Sequence, residues 1–238
     1  MNQKNYTPTA ADYDEEYYKS CCGCDDYVNS EPMKRMFRTV AKMLRDSLQV
    51  NTVLDAGCAC GHLVAAFREI GVEAWGVDIS EYAISQVTEE CKPYCAVASL
   101  TESLPAHFPR RYDLVLNIEI LEHMTPEDGS RALYNLCRYS DTVLFSSTPD
   151  DTVEKTHVNV QPLSYWIAKF HQQGFYVDFR NTGRVLNPQS MFFSRNFDHR
   201  SELYAAADRY YEEARKNAAL AGQVRALQAE LRNLSAEK

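Results

Sequence analysis

The chain reads as an α/β protein, with a mostly parallel sheet covered by helices on both faces. Three observations carry that reading. From residue 51 onward, short β-branched and apolar runs alternate with amphipathic helical stretches, as strands buried on both faces do. The run Val53-Leu54-Asp55-Ala56-Gly57-Cys58-Ala59-Cys60-Gly61-His62 passes from a strand through small residues into a helix. A second apolar run, Ala74-Trp75-Gly76-Val77, ends on the acid Asp78. A glycine-rich turn at a helix start, followed by a strand-end carboxylate, is the local arrangement that holds a nucleotide: backbone approaches the ligand closely, and the acid accepts from ribose hydroxyls.

Length and charge narrow the function. At 238 residues the chain can bury one good core and a small appendage. A formal net charge of −8 argues against a nonspecific nucleic-acid binder, which needs a basic face. The N-terminus shows no apolar signal-peptide run, and no uncharged stretch is long enough to span a bilayer, so a soluble, cytoplasmic protein is expected. The eight cysteines lack two separated Cys-x-x-Cys pairs, so Cys21, Cys22, Cys24, Cys58, Cys60, Cys91 and Cys95 read as thiols used as small apolar side chains and not as a zinc site.

Residues 1 to 30 mix tyrosines with acids, and Tyr13, Tyr17 and Tyr18 offer apolar faces with polar tips, as a lid over a binding surface would. Ser30-Glu31-Pro32 starts a helix, and Met33, Met36, Phe37, Val40, Met43 and Leu44 mark its buried face. Strand 51–55 then leads to helix 61–70, and strand 73–77 to a helix capped by Ser80. Strand 94–98 precedes a loop, and strand 112–118 precedes a helix begun by Thr125-Pro126-Glu127-Asp128. Strand 141–147, helix 162–173 and strands near 175–180 and 189–194 complete the sheet. Beyond Ser201, Leu220, Val224, Leu227, Leu231 and Leu234 step by four and three, a short heptad seam suited to folding back on the domain, forming a homodimer or docking a partner helix. The expected division is an N-terminal lid and helix (1–50), a core (51–197) and a C-terminal helix (198–238).

The spelling Asp-x-Gly-x-Ala-x-Gly over Asp55 to Gly61 departs from a dinucleotide fingerprint and resembles motif I of the class I S-adenosylmethionine (SAM) dependent methyltransferases, with Ala59 in place of the family's middle glycine. Gly76-Val77-Asp78-Ile79-Ser80, Tyr112-Asp113-Leu114-Val115-Leu116-Asn117 and Glu119-Ile120-Leu121-Glu122-His123-Met124 extend the resemblance, which covers roughly Asn51 to Arg180. It implies a Rossmann-like fold with a mostly parallel seven-stranded sheet, helices on both faces and, in this chain, an added C-terminal helix. It also implies SAM as cofactor, held by Tyr18, Asp55, Ala56, Gly57, Gly61, His62, Asp78, Ile79, Ser99, Leu100, Asn117, Ile118 and Glu119. Asp78 would take both ribose hydroxyls, Ile79 would pack on adenine, and Asn117 would lie under the sulfonium.

Methyl transfer from a sulfonium is an in-line displacement that needs alignment and a group to take the acceptor's proton. His157 is the first candidate for that base, with His123 and Glu122 beside it, since histidine titrates near neutrality. Around His157 the chain is similar to bacterial methyltransferases that act on sugars, and its tail helix is similar to those of enzymes from surface-glycan clusters. O-methylation of a sugar, glycan or nucleotide-sugar-like hydroxyl is therefore expected. The pattern Glu119-x-x-Glu122-His123 with the distant His157 also resembles metal-dependent RNA 3′-terminal 2′-O-methyltransferases, which implies a divalent ion on those four residues. A noncatalytic scaffold using the C-terminal helix is a third reading.

Overall fold

The computed structural model describes residues 6–181 and 186–196, together with positions 206, 209, 213, 215–217, 220 and 223. The chain forms two compact units, Met1–Asn196 and Phe197–Lys238. In the second unit the described positions are helical and Leu220 is exposed, whereas Val224, Leu227, Leu231 and Leu234 of the heptad seam lie outside the described residues. No helix among the described residues is long and apolar enough to cross a membrane.

The first unit is built on a seven-stranded sheet. Its strands are β1 (Thr52–Ala56), β2 (Glu73–Asp78), β3 (Cys95–Val97), β4 (Leu114–Ile118), β5 (Thr142–Ser146), β6 (Tyr176–Val177) and β7 (Met191–Ser194). They lie in the order β3-β2-β1-β4-β5-β7-β6. The five strands from β3 to β5 run parallel, and β7 pairs antiparallel with both β5 and β6. The sequence order reverses between β1 and β4, so the crevice at their carboxyl ends is where ligands bind in open α/β sheets.

Helices α1 (Glu15–Ser20), α2 (Glu31–Leu48), α3 (His62–Glu69), α4 (Glu81–Ser85), α5 (Pro126–Tyr139) and α6 (Leu163–Gln172) complete the unit. The period-2 alternation of the strands sorts side chains between two cores. Val53, Leu114, Leu116 and Leu144 join α2 and α3 on one face; Leu54, Val115, Val143 and Phe145 join α5 and α6 on the other. On that second face Phe170 stacks on Phe193 at 3.9 Å, and Trp166 packs beside Phe145 at 5.3 Å. Each large side chain so buried stabilises the fold by roughly 1.5–3 kcal/mol.

Two expectations are corrected. The buried stripe of α2 is Phe37, Val40, Ala41 and Leu44, while Met43 is 47 % exposed, because a 100° step per residue sets it at the flank of that stripe. The sixth strand stops at Val177 because the Asp178 carboxylate accepts from the amides of Arg180 and Asn181 and turns the chain away from the sheet.

Candidate active site

The carboxyl ends of the parallel strands open into a cavity of about 710 Å³. Its two ends are built differently.

At one end the β1–α3 loop leans on β2. The amides of Gly57 and Cys58 both donate to the Val77 carbonyl, at 2.8 and 3.0 Å. That contact brings the loop against Asp78, whose carboxylate accepts from the amides of Ala59 and Ser80, each at 2.8 Å. Gly57 has φ +99°, and a Cβ there would stand 2.3 Å from Ile120 Cδ1, so the close approach requires glycine. Ala59 adopts φ +47° without being glycine and is strained accordingly. Burial raises the Asp78 carboxyl above its usual value against the opposing pull of those amides; burial and neighbouring Asp78 raise Asp55 well above its own. Ile79, Ala98 and Leu100 supply apolar walls beyond Asp78, and Ser99 faces the same space.

The other end is a side-chain network between β4, the turn after it and the loop after β5. Glu119 follows β4 at φ +53°, and its carboxylate accepts from Asn187 Nδ2 at 2.9 Å and Gln189 Nε2 at 3.4 Å. His123 donates or accepts at Nδ1 with Thr156 Oγ1 at 2.8 Å, and its ring meets that of His157 edge-on at 4.6 Å. His157 in turn is clamped: Nε2 lies 2.9 Å from the Glu154 carboxylate and Nδ1 lies 3.0 Å from the Asp151 carbonyl. These acceptors hold His157 protonated up to about 9, although burial works against them. His123 goes the other way: burial, and the charge of His157, push it down to about 4, against the pull of Glu154 and Asp151. At neutral pH the pair is one fixed cation beside one neutral imidazole.

The N-terminal segment covers both ends. Ser80 Oγ donates to the Tyr13 carbonyl at 2.6 Å, and Tyr13 and Tyr17 set their rings 5.7 and 6.4 Å from His123. Tyr18 is buried against Tyr82 and Tyr27.

Of the residues singled out in the sequence, Tyr13, Tyr17, Tyr18, Gly57, Asp78, Ile79, Ser99, Leu100, Ile118, Glu119, His123 and His157 line the cavity. Five others that the sequence suggested for the cofactor do not. Asp55 and Ala56 are buried in β1 behind the loop, and Asn117 is fully buried with Nδ2 donating 2.8 Å to the Ala56 carbonyl, where it clips β4 to β1. Gly61 turns the chain into α3, and His62 stacks on Tyr27 and contacts its carbonyl at 3.1 Å. Glu122 is also off the cavity wall. Its Oε1 accepts from the Thr148 amide at 3.2 Å, its backbone carbonyl accepts from Val158 and Asn159, and its Oε2 has no partner among the described residues. Burial, then the nearby Glu119 charge, raise its carboxyl to about 8.

Sequence reasoning passed over Glu154, Thr156, Asn187 and Gln189, which carry no local motif and matter only because the fold brings them to His123 and Glu119. Ligand-type atoms of Glu122, His123 and His157 lie within 4.8 Å of one another, close enough to share an ion. In this arrangement both nitrogens of His157 lie against Glu154 and Asp151, and Glu119 accepts from the side-chain amides of Asn187 and Gln189.

The acids Asp78, Glu119, Asp128, Asp151 and Glu154 line the cavity, and among the described residues no lysine or arginine does. That acidity, the Asp78 hub and the close-approach loop suit a sulfonium cation carrying a ribose. Methionines and aromatics complete the wall, among them Met33, Met36, Phe37 and Met124.

A family model described as a methyltransferase domain matches residues 28–190. A ubiquinone biosynthesis O-methyltransferase of Proteus mirabilis is 32% identical over 107 residues, 43% of this chain and 44% of that protein. A magnesium-protoporphyrin O-methyltransferase of Synechocystis is 28% identical over 108 residues, 44% of this chain and 46% of that protein. In both pairs the chain spans less than half of the relative's length. Among solved structures, the Synechocystis magnesium protoporphyrin IX methyltransferase with bound SAM superposes with a TM-score of 0.57 at 17% identity, over 82% of this chain and 100% of that one. A Burkholderia thailandensis 1,6-didemethyltoxoflavin-N1-methyltransferase gives 0.54 at 17% identity, over 78% of this chain and 86% of that one. At such identities the likeness is one of fold.

Proposed function

The chain belongs to the methyltransferase domain family, and from that premise we propose that it methylates a hydroxyl of a neutral, partly apolar small molecule, with His123 as general base. When bound, SAM supplies the methyl group on its sulfonium to the acceptor oxygen. Asp78 would accept the ribose hydroxyls on the carboxylate positions that Ala59 and Ser80 leave open, and Ile79 and Leu100 would hold adenine between them. Tyr13, Tyr17 and Tyr18 would close over the site and exclude water.

The observation that carries the choice of base is the opposite tuning of the two histidines. His157, the residue the sequence favoured, is an ion-paired imidazolium and has no free lone pair to offer at neutral pH. His123 is neutral there, lines the cavity, and has no partner at Nε2 among the described residues. A buried neutral imidazole with a free nitrogen is what proton removal from a hydroxyl requires.

The acceptor class rests on the lining. A nucleotide sugar would bring two phosphate charges among five acids with no described lysine or arginine to meet them, so it fits least of the acceptors the sequence suggested. A neutral glycan hydroxyl is electrostatically compatible, but the methionine and tyrosine walls suit a flatter and less polar partner. The relatives named for ubiquinone biosynthesis and magnesium-protoporphyrin O-methylation support transfer to an acceptor oxygen. The test supplies radiolabelled SAM with catechol as a neutral probe and uridine diphosphate glucose as the charged sugar. Label transferred to catechol and lost in His123→Ala supports the reading; label transferred to the sugar nucleotide alone, or catechol turnover unaffected by His123→Ala, overturns it.

A further inference from the structure

We propose that Glu154, acting through the hydroxyl of Thr156, fixes His123 in the tautomer that carries its proton on Nδ1 and leaves the Nε2 lone pair free toward the cavity. The inference rests on the reading of His123 as base and adds to it two positioning residues, neither of which touches the reacting atoms.

The argument is one of donors and acceptors. An ionised carboxylate only accepts, and the Thr156 hydroxyl has a single proton to give. That hydroxyl lies in hydrogen-bond contact with Glu154 Oε1 and donates to it. Having spent its proton there, Thr156 Oγ1 can only accept from its other neighbour, His123 Nδ1, at 2.8 Å. The direction of the chain is therefore set from Glu154 outward. Nδ1 must carry hydrogen, and in a neutral ring Nε2 must then be bare.

Glu154 is secured in its ionised form by its second oxygen. Oε2 faces His157 Nε2 at 2.9 Å, and His157 is anchored from behind by the Asp151 carbonyl. One carboxylate thus serves both histidines with opposite results: it pairs directly with His157 as a cation and reaches His123 through a neutral hydroxyl. The groups facing His123 are Glu154, Asp151 and His157 from the loop after β5, and Tyr13 and Tyr17 from the N-terminal segment. When the acceptor's O–H bond breaks, its proton forms a bond to Nε2. The positive charge then made on the ring is met by Glu154 through Thr156, without a change in the hydrogen-bond pattern. Thr156 is buried, as a relay residue must be to keep its hydroxyl from turning to water.

The tautomer can be read without knowing the acceptor. Long-range ¹H–¹⁵N correlation spectra of the full chain at pH 7 report each ring nitrogen of the six histidines as protonated or bare, and His123→Gln identifies the relevant pair. The expected spectrum has a protonated Nδ1 and a bare Nε2 for His123. In Thr156→Val that pattern is lost, and in Thr156→Ser, which restores the hydroxyl, it returns. With catechol as probe, Thr156→Val should lower kcat about tenfold with KM little changed, again recovered by serine. A protonated Nε2 or a doubly protonated ring in the unsubstituted protein overturns the relay, as does an unchanged spectrum in Thr156→Val. Failure of His123→Ala to slow catechol methylation would instead overturn the assignment of the base, which the spectrum does not touch.

Discussion

The two ends of the cavity are made from different material. The end proposed for the cofactor is a backbone device: the Gly57 and Cys58 amides meet the Val77 carbonyl, and the Ala59 and Ser80 amides converge on the Asp78 carboxylate. The end proposed for the acceptor is a side-chain device, in which Glu154 holds His157 directly and reaches His123 through Thr156. A backbone device needs particular φ values and small residues at fixed spacing, so it leaves a mark on consecutive sequence. A side-chain network needs only that distant residues arrive together, and it can be retuned by single substitutions. One fold can in this way keep a cofactor while its acceptor chemistry changes.

The largest effect should come from breaking the acceptor end alone. His123→Ala is expected to lower turnover by roughly 10²–10³-fold while leaving S-adenosylhomocysteine affinity unchanged; parallel kinetics and titration calorimetry check both halves. The next effect concerns the support between the two ends. The folded Glu122 carboxyl titrates near 8 against an ordinary value of 4.5, so the folded state holds its proton more tightly than the unfolded chain does. This contribution to stability is full below pH 4.5 and is lost as pH rises toward 8. Glu122→Gln, which cannot ionise, should flatten that loss, as thermal unfolding followed across the same pH range will show. The smallest effect belongs to the cofactor end. Ala59 sits in the left-handed region, so Ala59→Gly should relieve strain and raise stability by about 0.5–1 kcal/mol, read from a denaturant midpoint.

That asymmetry also governs how much could be read from sequence. The alternation of apolar runs and capped helices located the sheet, because burial on both faces demands such runs. Asp78 and Gly57 stood out because strand, turn and acid are contiguous, and both line the cavity. Asn117 sits at a strand end as a ligand residue would, and its side-chain amide donates to the Ala56 carbonyl, a contact that nothing in the neighbouring sequence marks. Among the histidines, the sequence reading put His157 first and His123 second, an order that the proposed base reverses. The reversal comes from Glu154, whose carboxylate lies three residues from His157 in sequence and reaches His123 only through the folded loop. Likewise Asn187 and Gln189 lie far along the chain from Glu119, and nothing local marks them as its partners.

The central claim, that a pre-built backbone cradle centred on Asp78 binds the cofactor independently of the acceptor network, is tested most directly by calorimetric titration with S-adenosylhomocysteine. The same titration is run on the unsubstituted chain, Asp78→Ala and His123→Ala. Saturable binding that His123→Ala retains and Asp78→Ala weakens by about a hundredfold, near 3 kcal/mol, is the predicted result. No binding to the unsubstituted chain, or equal affinity in Asp78→Ala, would contradict it.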